Sequence, residues 1–513
     1  MSSTKPFRAW LTLLSLICAA FTLVTANAAE DQPNILFIFT DDQAPWALGL
    51  SGDPNASTPH LDNLFQEGAY LKNAFTVTPV CSPSRASLMS SRYGTEVGIT
   101  DWLHPKREAE AGLDPATPVW PRYLRDAGYR TGLVGKWHLG LTDDMHPFVF
   151  GYDTFIGFRE GGTTNNNPTL EFYPHPEYDP PAIPKEFLDK ADQPDSAKPA
   201  PASPASPSLL VEKRKMEGLM VDLLTDQAID FIQEESDAPF CLSLHYRAPH
   251  TRWLPVADED WAPFENLDPT IPNPDFPGLD VERVKRMTNE YLASVRGVDR
   301  NVGRLLEELE NLGLAENTIV IFSSDHGYNM GHSGIWHKGN GHYVLKEAPP
   351  GTDNVPKGQR PNMFDRSIKV PTAVRWPGVI EPGTEIEATV SNLDWFPTLL
   401  EMGGVDVPAD LTLRGQSIVP VLKGEAKDWH NDFYAEYSTK HQSQTHMRMY
   451  RTPKYKLVRD FLNEGRDEFY DLSKDPEETT NLIDSPEMKP VIEDLHGKIL
   501  AQMQAIGDDT PTE

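Results

Sequence analysis

The sequence predicts an α/β protein: a large mixed, mostly parallel sheet sandwiched by helices, with a smaller antiparallel-sheet subdomain at the C-terminal end. Three observations predict it. Four short apolar runs break off at ionisable residues, a long stretch between two of them keeps helical spacing, and beyond about residue 425 the pattern turns to short alternating segments.

A processing segment comes before the fold. Lys5 and Arg8 precede the apolar run 9–24, and Ala26-Asn27-Ala28 offers small residues for cleavage. That plan predicts a signal peptide over residues 1–28 and a mature chain that is secreted or periplasmic. An uncleaved anchor is the alternative, but the run falls short of the roughly 20 apolar residues a span requires. Cys18 follows Leu16-Ile17 rather than the small residue a lipoprotein would carry. No later segment reads as membrane-spanning, so no stable membrane insertion is expected.

The runs follow in order. Residues 34–40 lead into Asp41-Asp42, 131–135 into Lys136 and His138, 239–244 toward His250, and 318–324 into Asp325-His326. Continuous β-branched and aromatic runs of this length read as strands buried on both faces. Residues 189–208, rich in Pro, Ala, Ser and Asp, read as a flexible surface insertion. From 281 to 312, Val284, Met287, Tyr291, Val295, Val298, Val302, Leu305 and Leu309 recur at helical spacing, and Gly313 supplies the stop. Segments 433–437, 447–450, 455–458 and 468–472 alternate like short strands, and 486–506 reads as a closing helix. The expected organisation is one large domain over 29–425 and an α+β subdomain over 426–513.

Composition narrows the function. With 76 acidic against 46 basic residues, the net charge of −30 argues against a nucleic-acid partner. An anionic substrate must then be drawn in by a local cationic pocket. Only Cys81 and Cys241 remain after the leader, so no disulfide framework holds the chain together.

In an open α/β sheet, ligands bind beyond the carboxyl ends of the strands. Four runs ending in ionisable residues gather those residues at one edge, which points to an anionic or metal-bound substrate there. The sharpest motif is Cys81-Ser82-Pro83-Ser84-Arg85. Ser82 suits an N-cap and Pro83 a first turn, so a helix is expected to start here with Cys81 and Arg85 on one face. Its N-terminal N–H groups and the guanidinium would both face an anion. A buried free cysteine beside a surface arginine is the plain alternative.

Here the chain resembles the formylglycine-dependent (type I) sulfatases of the alkaline-phosphatase-like superfamily. The motif Cys-x-Pro-Ser-Arg stands at 81–85, with Ser90-Ser91 where a Thr-Gly pair is common in the family. Other motifs follow in the family's order: Thr40-Asp41-Asp42-Gln43, Thr58–Leu64, Gly135–Gly140 with Lys136 and His138, Pro249-His250, Ser324–Gly327, Lys338, and 468–476 near the end. The resemblance implies that Cys81 is oxidised to formylglycine (3-oxoalanine) by a formylglycine-generating or anaerobic sulfatase-maturating enzyme. It implies a hydrated aldehyde as nucleophile, and Asp41, Asp42, Asp325, His326 and residue 81 around one divalent cation, Ca2+ with Mg2+ as the alternative. Arg85, Lys136 and Lys338 would stabilise the transferring sulfuryl group, His250 protonate the leaving oxygen, and His138 act as base. A sulfated poly- or oligosaccharide is the expected substrate, with an aryl sulfate as the alternative.

The loop 326–342 crowds His326, His332, His337 and His342 around Trp336. It fits no tight zinc-ligand spacing, and His337 and His342 are the expected substrate contacts. Trp102 and Trp253 are candidates for stacking on a sugar ring. The rivals are a phosphodiester or phosphonate hydrolase on the same fold, and a non-catalytic carbohydrate-binding relative.

Overall fold

The computed structural model describes residues 32–173 and 211–511. The expected leader (1–28) and insertion (189–208) lie outside the described residues. Seventeen strands occur among those described: β1 (Asn34–Thr40), β2 (Ala69–Phe75), β3 (Arg130–Lys136), β4 (Thr154–Phe158), β5 (Thr169–Tyr173), β6 (Glu212–Lys215), β7 (Phe240–His245), β8 (Thr318–Ser324), β9 (Asn329–Met330), β10 (Ile335–His337), β11 (His342–Tyr343), β12 (Ala373–Arg375), β13 (Thr384–Ser391), β14 (Phe433–Thr439), β15 (Thr445–Arg451), β16 (Tyr455–Asp460) and β17 (Glu468–Asp471). Ten of them form one sheet in the order β13-β2-β12-β8-β1-β7-β3-β4-β5-β6.

The four runs read from sequence are its centre. β8, β1, β7, β3 and β4 lie side by side and all pair in parallel, while β12 and β5 run against their neighbours. The mixed, mostly parallel sheet is as expected. Side chains of β1 alternate between two cores: Ile35, Phe37 and Phe39 enter one, Leu36 and Ile38 the other. Both faces are therefore covered, which explains why the run is apolar without a break. Leu61, Leu224 and Leu305, from helices Pro59–Glu67, Met220–Gln233 and Val281–Asn311, fill one face. Leu88, Leu124 and Leu399, from helices Cys81–Ser90, Trp120–Asp126 and Trp395–Met402, fill the other.

Helix Val281–Asn311 buries all eight positions named from its periodicity, and Gly313 follows it in the left-handed region at φ 69°. The closing helix is Lys489–Ile506, three residues shorter at its start than expected. Pro490 occupies its first turn, where a missing N–H costs nothing. The antiparallel sheet β14-β15-β16-β17 stands as predicted. Its Tyr437, Met449 and Leu457 share a core with Phe75, Val80 and Cys81, so it braces the helix that carries Cys81. Among the described residues no helix is long and apolar enough to cross a membrane.

Candidate active site

Parallel neighbours end at the same level, and the site is built on that fact. Thr40 pairs with Ser324, and Phe39 and Gly135 both pair with His245. Asp41-Asp42 after β1, Lys136 at the end of β3, His245 at the end of β7 and Asp325-His326 after β8 therefore emerge together at one sheet edge. Gly135, at φ 116°, is required there, because a Cβ would collide with the His245 carbonyl.

The Cys81 helix aims its N-terminus at this edge. It begins two residues earlier than expected: Val80 is the N-cap and Cys81 the first helical residue. Ser82 does not cap; its hydroxyl accepts from the Leu103 N–H at 3.0 Å instead. Ser84 donates to the Asp325 carbonyl, and Asn392 Nδ2 donates to the Ser84 carbonyl at 2.9 Å, so the helix is tied to the β8 end. Cys81 and Arg85 share a face, as four-residue spacing requires.

Three carboxylates and three cations meet here, all buried. Lys136 Nζ donates to Asp41 Oδ2 at 2.6 Å, Lys338 Nζ to Asp42 Oδ1 at 2.7 Å, and Arg85 Nε to Asp325 Oδ2 at 3.0 Å. Lys338 also lies 3.9 Å from Cys81 Sγ. Burial raises the carboxyl pKa values, and each group departs by how much cation it sees. Asp42 is pushed up to about 6 and Asp325 is raised. For Asp41, burial is outweighed by Lys136, His250 and Lys338, which hold it well below the usual range. Burial likewise raises the Cys81 thiol, but Lys136, Lys338 and His138 overcome it and hold the thiol well below its ordinary value.

Several polar atoms at the centre have no partner within the protein: Asp41 Oδ1, Asp42 Oδ2, one Arg85 amino group and His326 Nε2. His326 donates from Nδ1 to the Gly327 carbonyl at 3.1 Å. Its Nε2 is left bare, 3.2 Å from Asp325 Oδ1 and 3.3 Å from Asp42 Oδ1. Ligand atoms of Asp41, Cys81, Asp325 and His326 lie within 4.8 Å of one another. Carboxylate oxygens and an imidazole lone pair converging without hydrogens between them fit a divalent cation.

Two histidines flank the centre. His138, in the left-handed region at φ 61°, donates from Nε2 to the Leu103 carbonyl at 3.2 Å and keeps Nδ1 buried and unpartnered. His250 donates from Nδ1 to the Thr251 carbonyl at 2.7 Å, and its Nε2 stands 3.9 Å from Asp42 Oδ2. Burial holds its pKa well below the ordinary value. Asp42 at φ 71° and His337 at φ 83° are also left-handed; non-glycine residues in this region cost energy and concentrate at working sites.

The fold thus brings Asp41, Asp42, Cys81, Arg85, Lys136, His138, His250, Asp325, His326 and Lys338 together. His337 and His342 stand outward of Lys338, their rings 5.6 Å apart. His332 is a buried structural residue, accepting from the Met330 N–H at 3.0 Å. Trp253 is buried against Tyr291, Tyr328 and Trp336, so it has no face for a sugar. Trp102 packs between His104 and His441 at the rim. Sequence reasoning missed His245, whose Nδ1 donates to the Lys136 carbonyl at 3.1 Å. It also missed Arg247, which donates to the His250 and Thr251 carbonyls and so holds the His250 loop. Both sit at the end of a run already recognised as a strand, which was the available signal.

The family model for sulfatases matches residues 33–405. The chain belongs to the sulfatase family. It is a sulfuric ester hydrolase, and the edge just described is where this sulfatase carries its charged groups. A second model, the C-terminal region of N-sulphoglucosamine sulphohydrolase, matches residues 359–505. The sulfatase is 26% identical to the N-acetylglucosamine-6-O-sulfatase of Bacteroides thetaiotaomicron, the match covering 98% of this chain and 92% of that one. It is 29% identical to the steryl-sulfatase of Rattus norvegicus, over 83% and 77% of the two chains. A solved structure in complex with its substrate D-glucosamine-2-N,6-O-disulfate superposes with a TM-score of 0.74 at 23% identity, covering 94% of this sulfatase and 99% of that chain. That likeness establishes the fold.

Proposed function

We propose that this sulfatase removes sulfate from a sulfated poly- or oligosaccharide, using Cys81 oxidised to formylglycine and one Ca2+. The observation that carries the reading is the convergence of Cys81 with Asp41, Asp325 and His326 inside 4.8 Å. Charge supports it. The three carboxylates and three cations at the centre cancel, so a divalent ion leaves two positive charges, which a sulfate monoester and an ionised nucleophile would neutralise. Asp41, Asp42, Asp325 and His326 would hold the ion, which supplies Lewis acidity at a sulfate oxygen, as the hydrated aldehyde supplies the attacking hydroxyl.

The chain's own residues do the rest. Arg85, Lys136 and Lys338 present N–H groups to the oxygens on which charge develops, in a site closed to water where such contacts are strong. The Leu103 carbonyl fixes the His138 tautomer, so Nδ1 is the atom that takes a proton at residue 81. The Thr251 carbonyl does the same for His250, so Nε2 is the atom that carries a proton to the leaving oxygen. A bound anionic ester raises the His250 pKa against the effect of burial. His337 and His342 are read as contacts to the leaving group.

The carbohydrate is inferred from relatives: the Formosa agariphila relative that is 27% identical over 93% of this chain is an ulvan-active sulfatase. Export by a leader over 1–28, maturation by a formylglycine-forming enzyme, and a division into a catalytic domain (29–425) and a C-terminal subdomain (426–513) belong to the same proposal. Parallel assays with an aryl sulfate and aryl phosphate mono- and diesters test it. Sulfate turnover should dominate; faster turnover of any phosphate ester would replace this reading with the phosphohydrolase.

A further inference from the structure

The acid-rich chain carries, near its active centre, an arginine that no acidic group pairs among the described residues. Trp336 on β10 and His342 on β11 are directly opposed across the small sheet, their rings 5.8 Å apart. The Arg283 guanidinium, from the first turn of helix Val281–Asn311, lies over the Trp336 ring at 5.6 Å. A cation–π contact at this distance consumes none of the guanidinium's N–H donors. Among the described residues, no carboxylate or carbonyl accepts from those donors, and no protein group hydrogen-bonds the His342 ring. Both side chains are partly exposed.

These groups continue a line that starts at the centre. Lys338 lies 3.9 Å from Cys81 Sγ; the residue before it in the chain is His337, whose ring is 5.6 Å from His342. His337 is held by Asn340, which accepts from Nδ1 at 2.7 Å, and its Nε2 has no hydrogen-bond partner among the described residues. In a chain with net charge −30, an arginine held over a tryptophan with free N–H donors, beside two imidazole rings, is a receptor for an oxyanion.

We propose that Arg283, seated on Trp336 and flanked by His342, binds a second oxyanion on the saccharide, a carboxylate or another sulfate group, outward of the sulfate that is cleaved. The subsite rests on the sulfatase reading and adds the substrate class: a saccharide with two acidic groups. A bidentate fork suits either oxyanion.

Calorimetric titration of the Cys81→Ala chain, which cannot turn over, tests the subsite with three ligands. These are a monosulfated disaccharide on otherwise neutral sugars (the neutral ligand), its uronate counterpart carrying a carboxylate, and its disulfated counterpart. At least one of the acidic ligands should bind about tenfold tighter or better than the neutral one. Adding Arg283→Ala should erase that advantage, a loss of about ten- to hundredfold, and leave the neutral ligand within about twofold; Arg283→Lys should keep part of it. Which ligand gains identifies the oxyanion. Equal affinity for all three, or an equal loss on all three in Arg283→Ala, overturns the subsite. Turnover of an aryl sulfate by the native enzyme separates the two claims: its absence defeats the sulfatase reading, while turnover without discrimination in the titrations defeats only the subsite.

Discussion

Replacing Lys136 with Met separates the two jobs assigned to this lysine. The side chain is fully buried, and Nζ lies 2.6 Å from Asp41 Oδ2. At an effective dielectric of about 20, that contact is worth about 6 kcal/mol of gross Coulomb attraction, most of it consumed by desolvating both groups. Removing one partner leaves Asp41 buried without its main counter-charge, so Lys136→Met should cost about 3–5 kcal/mol in metal-free protein. A chain of this length has an unfolding entropy of about 1 kcal/mol/K, so the midpoint should fall by about 3–5 °C. Ca2+ restores positive charge beside Asp41, and saturating Ca2+ should recover much of that loss. Activity should not recover, because the lysine also faces the charge of the transition state; kcat should stay down by about a hundred- to a thousandfold. The assay is thermal unfolding in EDTA and in Ca2+, beside aryl-sulfate turnover. Unchanged stability in EDTA, or native kcat in Ca2+, would refute the reasoning.

Cys81→Ser should fold normally yet stop after one turnover, since a serine ester has no second hydroxyl to expel sulfate; mass spectrometry should find the sulfuryl group on that peptide. Gly161→Ala would set a Cβ 2.5 Å from His138 Nε2, pushing the ring off the Leu103 carbonyl; kcat/KM should drop by about tenfold to a hundredfold with little change in unfolding temperature. Asp299, buried and accepting from the Leu61 N–H at 2.8 Å, has its pKa pushed up to about 7, chiefly by burial. The native chain therefore holds this proton more tightly than the unfolded one, and the group's contribution to stability declines as pH rises from about 4 through about 7. Asp299→Asn keeps the acceptor and removes the titration, so its stability relative to wild type should rise between pH 5 and pH 8; a constant difference across that range would contradict this.

The sheet centre was legible because burial on both faces leaves unbroken apolar runs, as in Ile35–Phe39 and Ile319–Phe322. The C-terminal hairpins were legible from alternation. Strands β2, β12 and β13 were not read, although Thr384–Ser391 alternates Glu with Ile, Ala and Val; β12 has only three residues, and half-polar strands carry little local signal. The three-stranded β9-β10-β11 is held by a histidine-rich loop whose pairing depends on the tertiary packing of Trp336 and Tyr343. The convergence of the charged residues on strand ends was legible as a group, since topology alone gathers them. The cap was misread because Ser82-Pro83 satisfies the local rule for a helix start, whereas Val80 reaches the same position by packing in the core beneath the C-terminal sheet. Trp253 illustrates the same limit: a large aromatic next to a catalytic loop reads as a platform, and only the surrounding Tyr291, Tyr328 and Trp336 reveal it as core.

The most direct measurement is intact-peptide mass spectrometry across Cys81 in enzyme purified from a host with maturation machinery, with aryl-sulfate turnover measured on the same sample. The peptide should be lighter than its unmodified form, having lost sulfur and gained an aldehyde, in proportion to activity. Full turnover from protein in which the Cys81 thiol is wholly intact would contradict the account.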